Sequence, residues 1–271
     1  MKTKIAVTGV SGRMGASIVD ATITASQKNN ISLVAGVQYP GGNKVGQDVG
    51  LACGLGELGL QVADKLENID FDVLIDFSTI EASLQNLEYC QKHQKSIVLG
   101  VTGFDDEQKA HIETAAKHIP IVFAPNMSVG VNLAFHVLNT VAKVIGNETD
   151  IEIIEAHHKH KVDAPSGTAL KMGEIVADAL GRTLSDCAIY GREGNIGERN
   201  PNTIGFSTIR AGSVVGDHTV MFANEGERFE ITHKAESRMT FANGAVRAAS
   251  WIADKKAGLF DMQDVLGLKS L

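Results

Sequence analysis

Titratable side chains are concentrated in one short run of the sequence. An apolar segment over residues 151–156 favours a β-strand, and the run follows it as His157, His158, Lys159, His160 and Lys161. Imidazole and ammonium groups can neutralise a carboxylate or transfer a proton. If the strand continued, its alternation would put His158 and His160 on one face and the other three on the opposite face. The run predicts a site that protonates an anionic substrate.

A helix start follows this run. Pro165 precedes Ser166, Gly167 and Thr168, and an apolar pattern with helical spacing continues to about residue 180. The backbone N–H groups at a helix N-terminus bind anions. We therefore expect a substrate carboxylate to lie near Gly167 and Thr168.

A metal site is the competing interpretation of the histidines, because histidine is a common zinc ligand. No cysteine or carboxylate stands at ligand spacing beside them, and the adjacent lysines would repel a cation. We predict a site without metal.

Composition narrows the class of protein. The chain has 271 residues and a net charge of −7, which argues against general nucleic-acid binding. Its three cysteines are scattered, which indicates a reducing compartment and no disulfide framework. We find no signal peptide and no apolar run long enough for a membrane span, so we expect a cytoplasmic protein with no nucleic-acid or membrane partner.

The order of the predicted elements indicates two parts. In the first part strands alternate with helices, which implies βαβ units and a parallel sheet. The predicted strands there are 4–9, 32–37, 72–77, 96–100 and 120–124, and the predicted helices are 14–25, 80–93, 105–118 and 128–145. Residues 41–59 are rich in glycine and lack periodicity, so we expect a surface loop.

The pattern changes after residue 150. Strands at 203–210, 213–222 and 228–233 follow one another without helices, which predicts an antiparallel or mixed sheet. Apolar residues at helical spacing over 241–252 predict a final helix that packs back on the first part.

A glycine-rich turn between the first strand and the first helix predicts a dinucleotide site. Its residues are Gly9, Val10, Ser11, Gly12, Arg13, Met14 and Gly15. Glycines permit the tight turn and the close approach of a pyrophosphate to the helix N-terminus. The acid that usually reads the ribose of NAD is missing, because the second strand is followed by Gln38, Tyr39 and Pro40. The nearest cation is Lys44, so these residues leave the choice between NAD and NADP open.

The sequence resembles one family over essentially its whole length. Residues 155–169 (EAHHKHKVDAPSGTA) are similar to the signature of 4-hydroxy-tetrahydrodipicolinate reductase, also called dihydrodipicolinate reductase. Further similar segments are 12–15 (GRMG), 100–104 (GVTGF), 124–132 (APNMSVGVN) and 237–245 (SRMTFANGA).

The resemblance implies an α/β fold with a Rossmann-type parallel-sheet cofactor domain, residues 1–127 and 239–271. A substrate-binding and oligomerisation domain with a mixed sheet and flanking helices would span 128–238 and form a homotetramer. The implied activity is the NADH- or NADPH-dependent reduction of 4-hydroxy-tetrahydrodipicolinate, a small dicarboxylate, to tetrahydrodipicolinate in the diaminopimelate route of lysine biosynthesis.

The resemblance also implies residue roles. His157 matches a proton donor or acceptor and Lys161 a proton donor, while His158, Gly167 and Thr168 match substrate contacts. Arg238 is a further candidate, because it could close over a dicarboxylate. The implied cofactor residues are Gly9, Val10, Ser11, Gly12, Arg13, Met14, Gln38, Gly100, Val101, Thr102, Ala124, Pro125, Asn126 and Met127.

Three positions depart from the family pattern. Gln38 stands where many members have an acid, Tyr39 where some have arginine, and Thr79 where a basic residue is frequent. These departures bear on cofactor choice, and we predict use of both NADH and NADPH.

Two other functions compete with this interpretation. A semialdehyde dehydrogenase would need a nucleophilic cysteine at the domain junction, and none lies within residues 126–168. A nucleotide sensor without catalytic activity would have no use for the histidine and lysine run.

Overall fold

The computed structural model describes residues 2–270, and the chain forms two compact units. Unit 1 contains the chain up to Val129 and again from Arg238 onward, and unit 2 is Gly130–Ser237.

The strands and helices of the two units, numbered in chain order, have the following bounds. The strands are β1 Thr3–Thr8, β2 Ile31–Val37, β3 Val62–Ala63, β4 Val73–Asp76, β5 Ser96–Leu99, β6 Pro120–Phe123, β7 Asp150–His157, β8 Ala188–Ile189, β9 Ile204–Arg210, β10 Gly216–Ala223, β11 Arg228–Ala235 and β12 Gly258–Phe260. The α-helices are α1 Arg13–Ser26, α2 Val49–Cys53, α3 Ile80–His93, α4 Asp106–Ala116, α5 Val129–Ile145, α6 Gly167–Ala179, α7 Leu184–Cys187, α8 Met239–Ile252 and α9 Met262–Val265. Two short 3₁₀ helices lie at Gly146–Glu148 and Leu268–Ser270.

Unit 1 is built on a seven-stranded sheet with the order β12-β6-β5-β4-β1-β2-β3, and every strand pair in it is parallel. Strands β4 and β5 are buried along their whole length, as expected for parallel strands that helices cover on both faces. Within this sheet, the order β3-β2-β1-β4-β5-β6 is the strand order of a Rossmann-type fold. The predicted parallel-sheet domain is confirmed.

Unit 2 contains a five-stranded sheet with the order β11-β10-β7-β9-β8. Strand β10 runs antiparallel to both of its neighbours, whereas β7 and β9 are parallel, so the sheet is mixed as predicted. Burial alternates along β7 and β10, which means that one face of the sheet is covered. Leu138 of α5, Ile153 of β7 and Val176 of α6 meet in the core on that face.

The prediction of a plain surface loop over residues 41–59 is wrong. Helix α2 lies within this segment, and the carboxylate of Asp48 caps it by accepting hydrogen bonds from the N–H groups of Gly50 and Leu51. The same carboxylate accepts from Leu58, Gly59 and Leu60, which folds the rest of the segment around it. A single side chain organises the segment, and hydrophobic periodicity does not reveal such a side chain.

Two strand predictions also need correction. Strand β10 begins at Gly216, because residues before it form a turn, so the predicted start at 213 is too early. Strand β12 follows α8 and pairs with β6 at the sheet edge, and it was not predicted. It has three residues, too few to show a periodic pattern.

One helical stretch, Val129–Glu148, is long and apolar enough to cross a membrane by length and composition alone. Val131, Leu138 and Ala142 of this stretch are buried in the core of unit 2, whereas Leu133, Val137 and Val144 are exposed. A single helix that passes a test of length and composition is weak evidence for a membrane span.

Candidate active site

The titratable run of unit 2 lies at the end of β7 and in the turn after it. The strand ends at His157, whose carbonyl accepts the N–H of Ala211, and a turn follows in which Lys161 N–H donates to the carbonyl of His158. The strand does not continue through the run, so the alternation considered for a longer strand does not apply. The rings of His158 and His160 lie 6.2 Å apart across the turn.

His157 is buried and hydrogen-bonded to a carboxylate of its own strand. Its Nδ1 lies 2.6 Å from Oε2 of Glu155, two residues earlier on the same face of β7. Glu155 also accepts two hydrogen bonds of 2.8 Å from the guanidinium of Arg210 on β9, and a third, of 3.0 Å, from the backbone N–H of Ser166. Strand pairing brings these groups together, because His157 and Arg210 are register partners.

The electrostatics of this cluster fix two protonation states. Burial disfavours the ionised form of Glu155, but the hydrogen bonds from Arg210, His157 and Ser166 outweigh it and lower the pKa of Glu155 to about 2. Burial lowers the pKa of His157, and the cations of Lys161 and Arg210 act in the same direction against the opposing effect of Glu155. At neutral pH, Glu155 is ionised and His157 is mainly neutral.

A second histidine joins the cluster to the start of α6. Nε2 of His218 on β10 lies 2.9 Å from Oγ of Ser166, and its ring lies 5.1 Å from that of His157. Burial lowers the pKa of His218 to about 3, so it is neutral. Ser166 caps α6 by accepting the N–H of Ala169.

The predicted substrate residues lie at this helix start. Gly167 is the exposed first residue of α6, and a Cβ added there would meet nothing within 4 Å. Thr168 is half-buried beside it. The ammonium of Lys161 lies 2.8 Å from the carboxylate of Asp163, on the segment that links the turn to α6.

The remaining predicted substrate residue belongs to the other unit. Arg238 is half-buried and occupies the N-cap position of α8 in unit 1. Its role in substrate binding stays a prediction.

In unit 1, the glycines of the predicted dinucleotide turn have the geometry that such a turn requires. Gly9 has a φ of +73°, which favours glycine, and a Cβ there would lie 2.8 Å from the carbonyl oxygen of Phe77. A Cβ at Gly15 would lie 2.1 Å from the carbonyl oxygen of Gly9, so this glycine permits the close contact of α1 with the turn. Gly12 is the N-cap of α1 and leaves its first turn without a side-chain cap.

A cavity of about 470 Å³ opens beside this turn. Its lining includes Gly9, Ser11 and Gly12 together with Gln38 and Tyr39 at the end of β2. Lys65 also lines this cavity. It is exposed and lies two residues after β3, the strand that pairs with β2.

The side chain of Gln38 is 4% exposed, and its Oε1 accepts the backbone N–H of Lys44. The ammonium of Lys44 donates to the carbonyl of Ala52 at 2.6 Å and does not line the cavity. A different cation, Lys65, is therefore available on the cavity wall.

A neighbouring cavity of about 390 Å³ lies at the ends of β4 and β5, and its lining includes Met14, Gly100, Val101 and Thr102. The carboxylate of Asp76 supports its wall by accepting from the N–H and the hydroxyl of Ser78.

Other predicted cofactor residues lie partly in the core. The side chains of Val10, Ala124 and Met127 are buried there, which leaves only their backbones for contact with a ligand. Arg13 is exposed. Asn126, which follows Pro125, accepts the N–H of Ser128 with its side-chain Oδ1.

Another cavity of unit 1, of about 710 Å³, lies at the opposite edge of the sheet. Thr3 and Ile31, at the starts of β1 and β2, are among its lining residues. Ligands of open α/β sheets bind at the carboxyl ends of the strands, so we assign the cofactor to the two smaller cavities.

The chemistry of the cysteines does not favour a thiolate nucleophile. Burial raises the pKa of Cys53, of Cys90 and of Cys187. Reactive cysteines usually have a lowered pKa in an electropositive surrounding. Within residues 2–270, no group of three or more histidine, cysteine or acidic side chains is arranged to hold a metal ion.

Sequence reasoning missed four residues of this cluster: Glu155, Ser166, Arg210 and His218. The contact of Glu155 with His157 could have been predicted from the sequence, because residues two apart on a strand share a face. Arg210 and His218 lie on other strands, more than 50 residues from their partners, and local spacing does not indicate them.

Two family models match the chain. The model for the N-terminus of dihydrodipicolinate reductase matches residues 3–127, and the model for its C-terminus matches residues 130–266.

Solved structures of other proteins share the fold. The dipicolinate-bound dihydrodipicolinate reductase from Paenisporosarcina sp. TG-14 is 23% identical, with a TM-score of 0.73 over 97% of this chain and 99% of that chain. An amine dehydrogenase from Mycobacterium smegmatis is 14% identical, with a TM-score of 0.56 over 96% and 94% of the two chains. Aspartate semialdehyde dehydrogenase II from Vibrio cholerae is 9% identical, with a TM-score of 0.51 over 94% and 100%.

Proposed function

This chain belongs to the dihydrodipicolinate reductase family, whose models match both of its parts, and from that premise we propose how its residues carry out the reaction. The chain is an oxidoreductase of the diaminopimelate route of lysine biosynthesis. It converts 4-hydroxy-tetrahydrodipicolinate to tetrahydrodipicolinate and water, and it takes a hydride from a pyridine nucleotide and one proton in doing so.

One observation carries the assignment of roles: Glu155 joins the buried His157 to the N–H of Ser166 at the start of α6, and Lys161 lies in the turn between β7 and α6. Hydride delivery builds negative charge on the substrate, so an acid must supply a proton. His157 is mainly neutral, and its one ring proton is engaged with Glu155, so its other nitrogen is an acceptor. We assign the proton donation to Lys161 and a proton-accepting, relaying role to His157.

The test is the oxidation of NADH or NADPH on addition of the substrate, with dipicolinate as a competitive inhibitor. No oxidation above the rate without substrate would refute the proposed function, and the variants described below test the roles of the residues.

The substrate carboxylate would bind at the start of α6. Gly167 and Thr168 offer backbone N–H groups there, and His158 and Lys161 add polar and cationic side chains. We propose the guanidinium of Arg238 as a further partner of the dicarboxylate.

Thr168→Val tests this site. The valine keeps the backbone N–H and loses the hydroxyl, and a charge-assisted hydrogen bond is worth about 1.5–3 kcal/mol. We expect the KM for the substrate to rise roughly 10–100-fold, with a smaller effect on kcat. Thr183→Val is the matched control, because the hydroxyl of Thr183 makes no cap hydrogen bond to its helix. An unchanged KM in Thr168→Val would place the carboxylate elsewhere.

The cofactor fits the glycine turn of unit 1, because Gly12 leaves the first turn of α1 without a side-chain cap and its N–H groups can donate to a pyrophosphate. When bound, the nicotinamide supplies the hydride. Ser11, Gly12, Arg13 and Met14 would hold the phosphates at the start of α1, and Gly100, Val101 and Thr102 would border the nicotinamide, with the residues after β6.

We propose that both NADH and NADPH are used. Gln38 is uncharged and does not repel a 2′-phosphate, and Lys65 offers a cation on the wall of the same cavity, which Asp64 and Glu67 also line. No acid is provided by Gln38 or Tyr39 for the ribose hydroxyls of NADH.

We expect the specificity constants for the two cofactors to differ by less than about tenfold, or roughly 1.4 kcal/mol. Gln38→Glu should shift the preference toward NADH, because its carboxylate repels the 2′-phosphate. Gln47→Glu adds the same charge at an exposed position outside this cavity and serves as the control. A wild-type preference of about a hundredfold, nearly 3 kcal/mol, would contradict dual use.

We further propose a cytoplasmic homotetramer assembled through residues 128–238. Ile209 on β9 is 49% exposed and pairs in register with Ala156, on the face of the sheet opposite to buried Ile151 and Ile153, where an interface would cover it. Sedimentation equilibrium and cell fractionation test these two points.

A further inference from the structure

Glu155 is a buried carboxylate with a complete set of donors. Its side chain is 1% exposed, and both oxygens accept hydrogen bonds from Arg210. Oε2 is also bonded to Nδ1 of His157, and Oε1 to the N–H of Ser166. A charge buried this deeply is retained only when it is paired, so Arg210 keeps Glu155 ionised in place.

The contacts of Glu155 join two parts of the proposed site. One oxygen reaches the imidazole on β7, and the other reaches the residue that caps α6, where the substrate carboxylate is expected. Arg210 also donates to the carbonyl of Asp163 at 2.6 Å, on the segment that carries the partner of Lys161. One ion pair therefore anchors both the strand end and the following segment.

We propose that Glu155, clamped by Arg210, is the positioning residue that fixes the ring of His157 as the Nδ1–H tautomer and holds it in register with the start of α6. This inference rests on the proposed function, in which His157 is a catalytic residue.

The tautomer follows from the chemistry of the two groups. An ionised carboxylate only accepts hydrogen bonds, so the proton between Glu155 and a neutral His157 belongs to Nδ1. Nε2 then carries a lone pair, as a proton acceptor requires. Strand β10 limits the ring from another side, since a Cβ at Gly216 would lie 3.0 Å from this nitrogen.

The charges around His157 come from several elements. Glu155 on β7 favours its protonation, whereas Lys161 in the turn and Arg210 on β9 oppose it. His218 on β10 is neutral and faces the ring edge. Glu155 is the one acid among these neighbours, so its removal should make protonation of His157 harder.

The structure supplies a matched control on the same strand. Glu152 also accepts two hydrogen bonds of 2.8 Å from one arginine, Arg192, and one of 3.1 Å from Arg199. Its side chain is 16% exposed, and it stands three positions before Glu155, an odd spacing that puts it on the opposite face of β7. Glu152→Gln thus breaks a similar arginine pair without touching His157.

The experiment compares Glu155→Gln and Glu152→Gln in the full chain. We expect Glu155→Gln to lower kcat at least about tenfold. This effect is smaller than the roughly 100-fold or larger loss expected when a proton-transfer group itself is removed, because His157 is still present. The KM for NADPH should not change. Glu152→Gln should keep a kcat near the wild-type value.

NMR of imidazole nitrogens in histidine-labelled protein gives a readout that a purely structural role would not move. The His157 signals, identified by their loss in His157→Asn, should report the Nδ1–H tautomer in wild type and in Glu152→Gln. They should report a changed tautomer mixture and a lower pKa in Glu155→Gln. Arg210→Lys, which keeps the charge but loses the two-pronged contact, should give an intermediate result.

Two results would overturn the inference. The first is an Nε2–H tautomer of His157 in the wild-type protein, which needs no variant to fold. The second is a Glu155→Gln variant with the tautomer and kcat of Glu152→Gln. Absence of turnover in the wild-type protein would instead refute the proposed function, and the NMR result would still decide whether Glu155 positions the ring.

Discussion

Lys161→Ala is expected to lower kcat by about 100-fold or more, the scale of a lost general acid. Its ammonium lies at the end of the turn after β7, 2.8 Å from Asp163, and is the proposed proton source. Affinity for NADPH should be nearly unchanged, because Lys161 is not among the residues that line the two cavities proposed for the cofactor. Initial rates of NADPH oxidation and a fluorescence titration of the cofactor measure the two quantities.

Lys159→Ala is the control for this variant. Lys159 is exposed in the same turn, and we assign it no role in the reaction. Its loss removes the same charge, so a general effect of positive charge on the anionic substrate would slow both variants alike. Equal rates in the two variants, or near-normal turnover of Lys161→Ala, would show that Lys161 is not the acid.

His157→Ala is expected to reduce kcat on a similar scale, about 100-fold or more. The substitution removes the accepting nitrogen, while Arg210 still pairs with Glu155. His157→Asn sharpens the test, since its amide can replace the donor to Glu155 but supplies no second ring nitrogen. Both variants should be comparably slow by the same rate measurement.

His160→Ala provides the comparison for this prediction. His160 is exposed, and its ring lies 6.2 Å from that of His158. It should retain turnover within a few-fold of the wild type. If His157→Asn were as active as His160→Ala, His157 would serve only to fill its position.

Several features of the protein are determined locally and could be predicted from the sequence. The turn at Gly9 and Gly12 lies between a strand and a helix, and its glycines are needed by a positive φ and by close backbone contacts. Continuous apolar strands separated by amphipathic helices predict a parallel sheet covered on both faces. The histidine and lysine run before Ser166 likewise places acid–base groups next to a helix start within a few residues.

The tertiary structure decides which distant groups meet these local ones. Arg210 reaches Glu155 across 55 residues, and His218 reaches Ser166 across 52, because β9 and β10 flank β7 in the sheet of unit 2. Strand order arises from the packing of whole elements, and short-range periodicity does not encode it. For the same reason the buried ion pair that holds His157, and the cation that Lys65 brings to the end of β2, follow only from the folded chain.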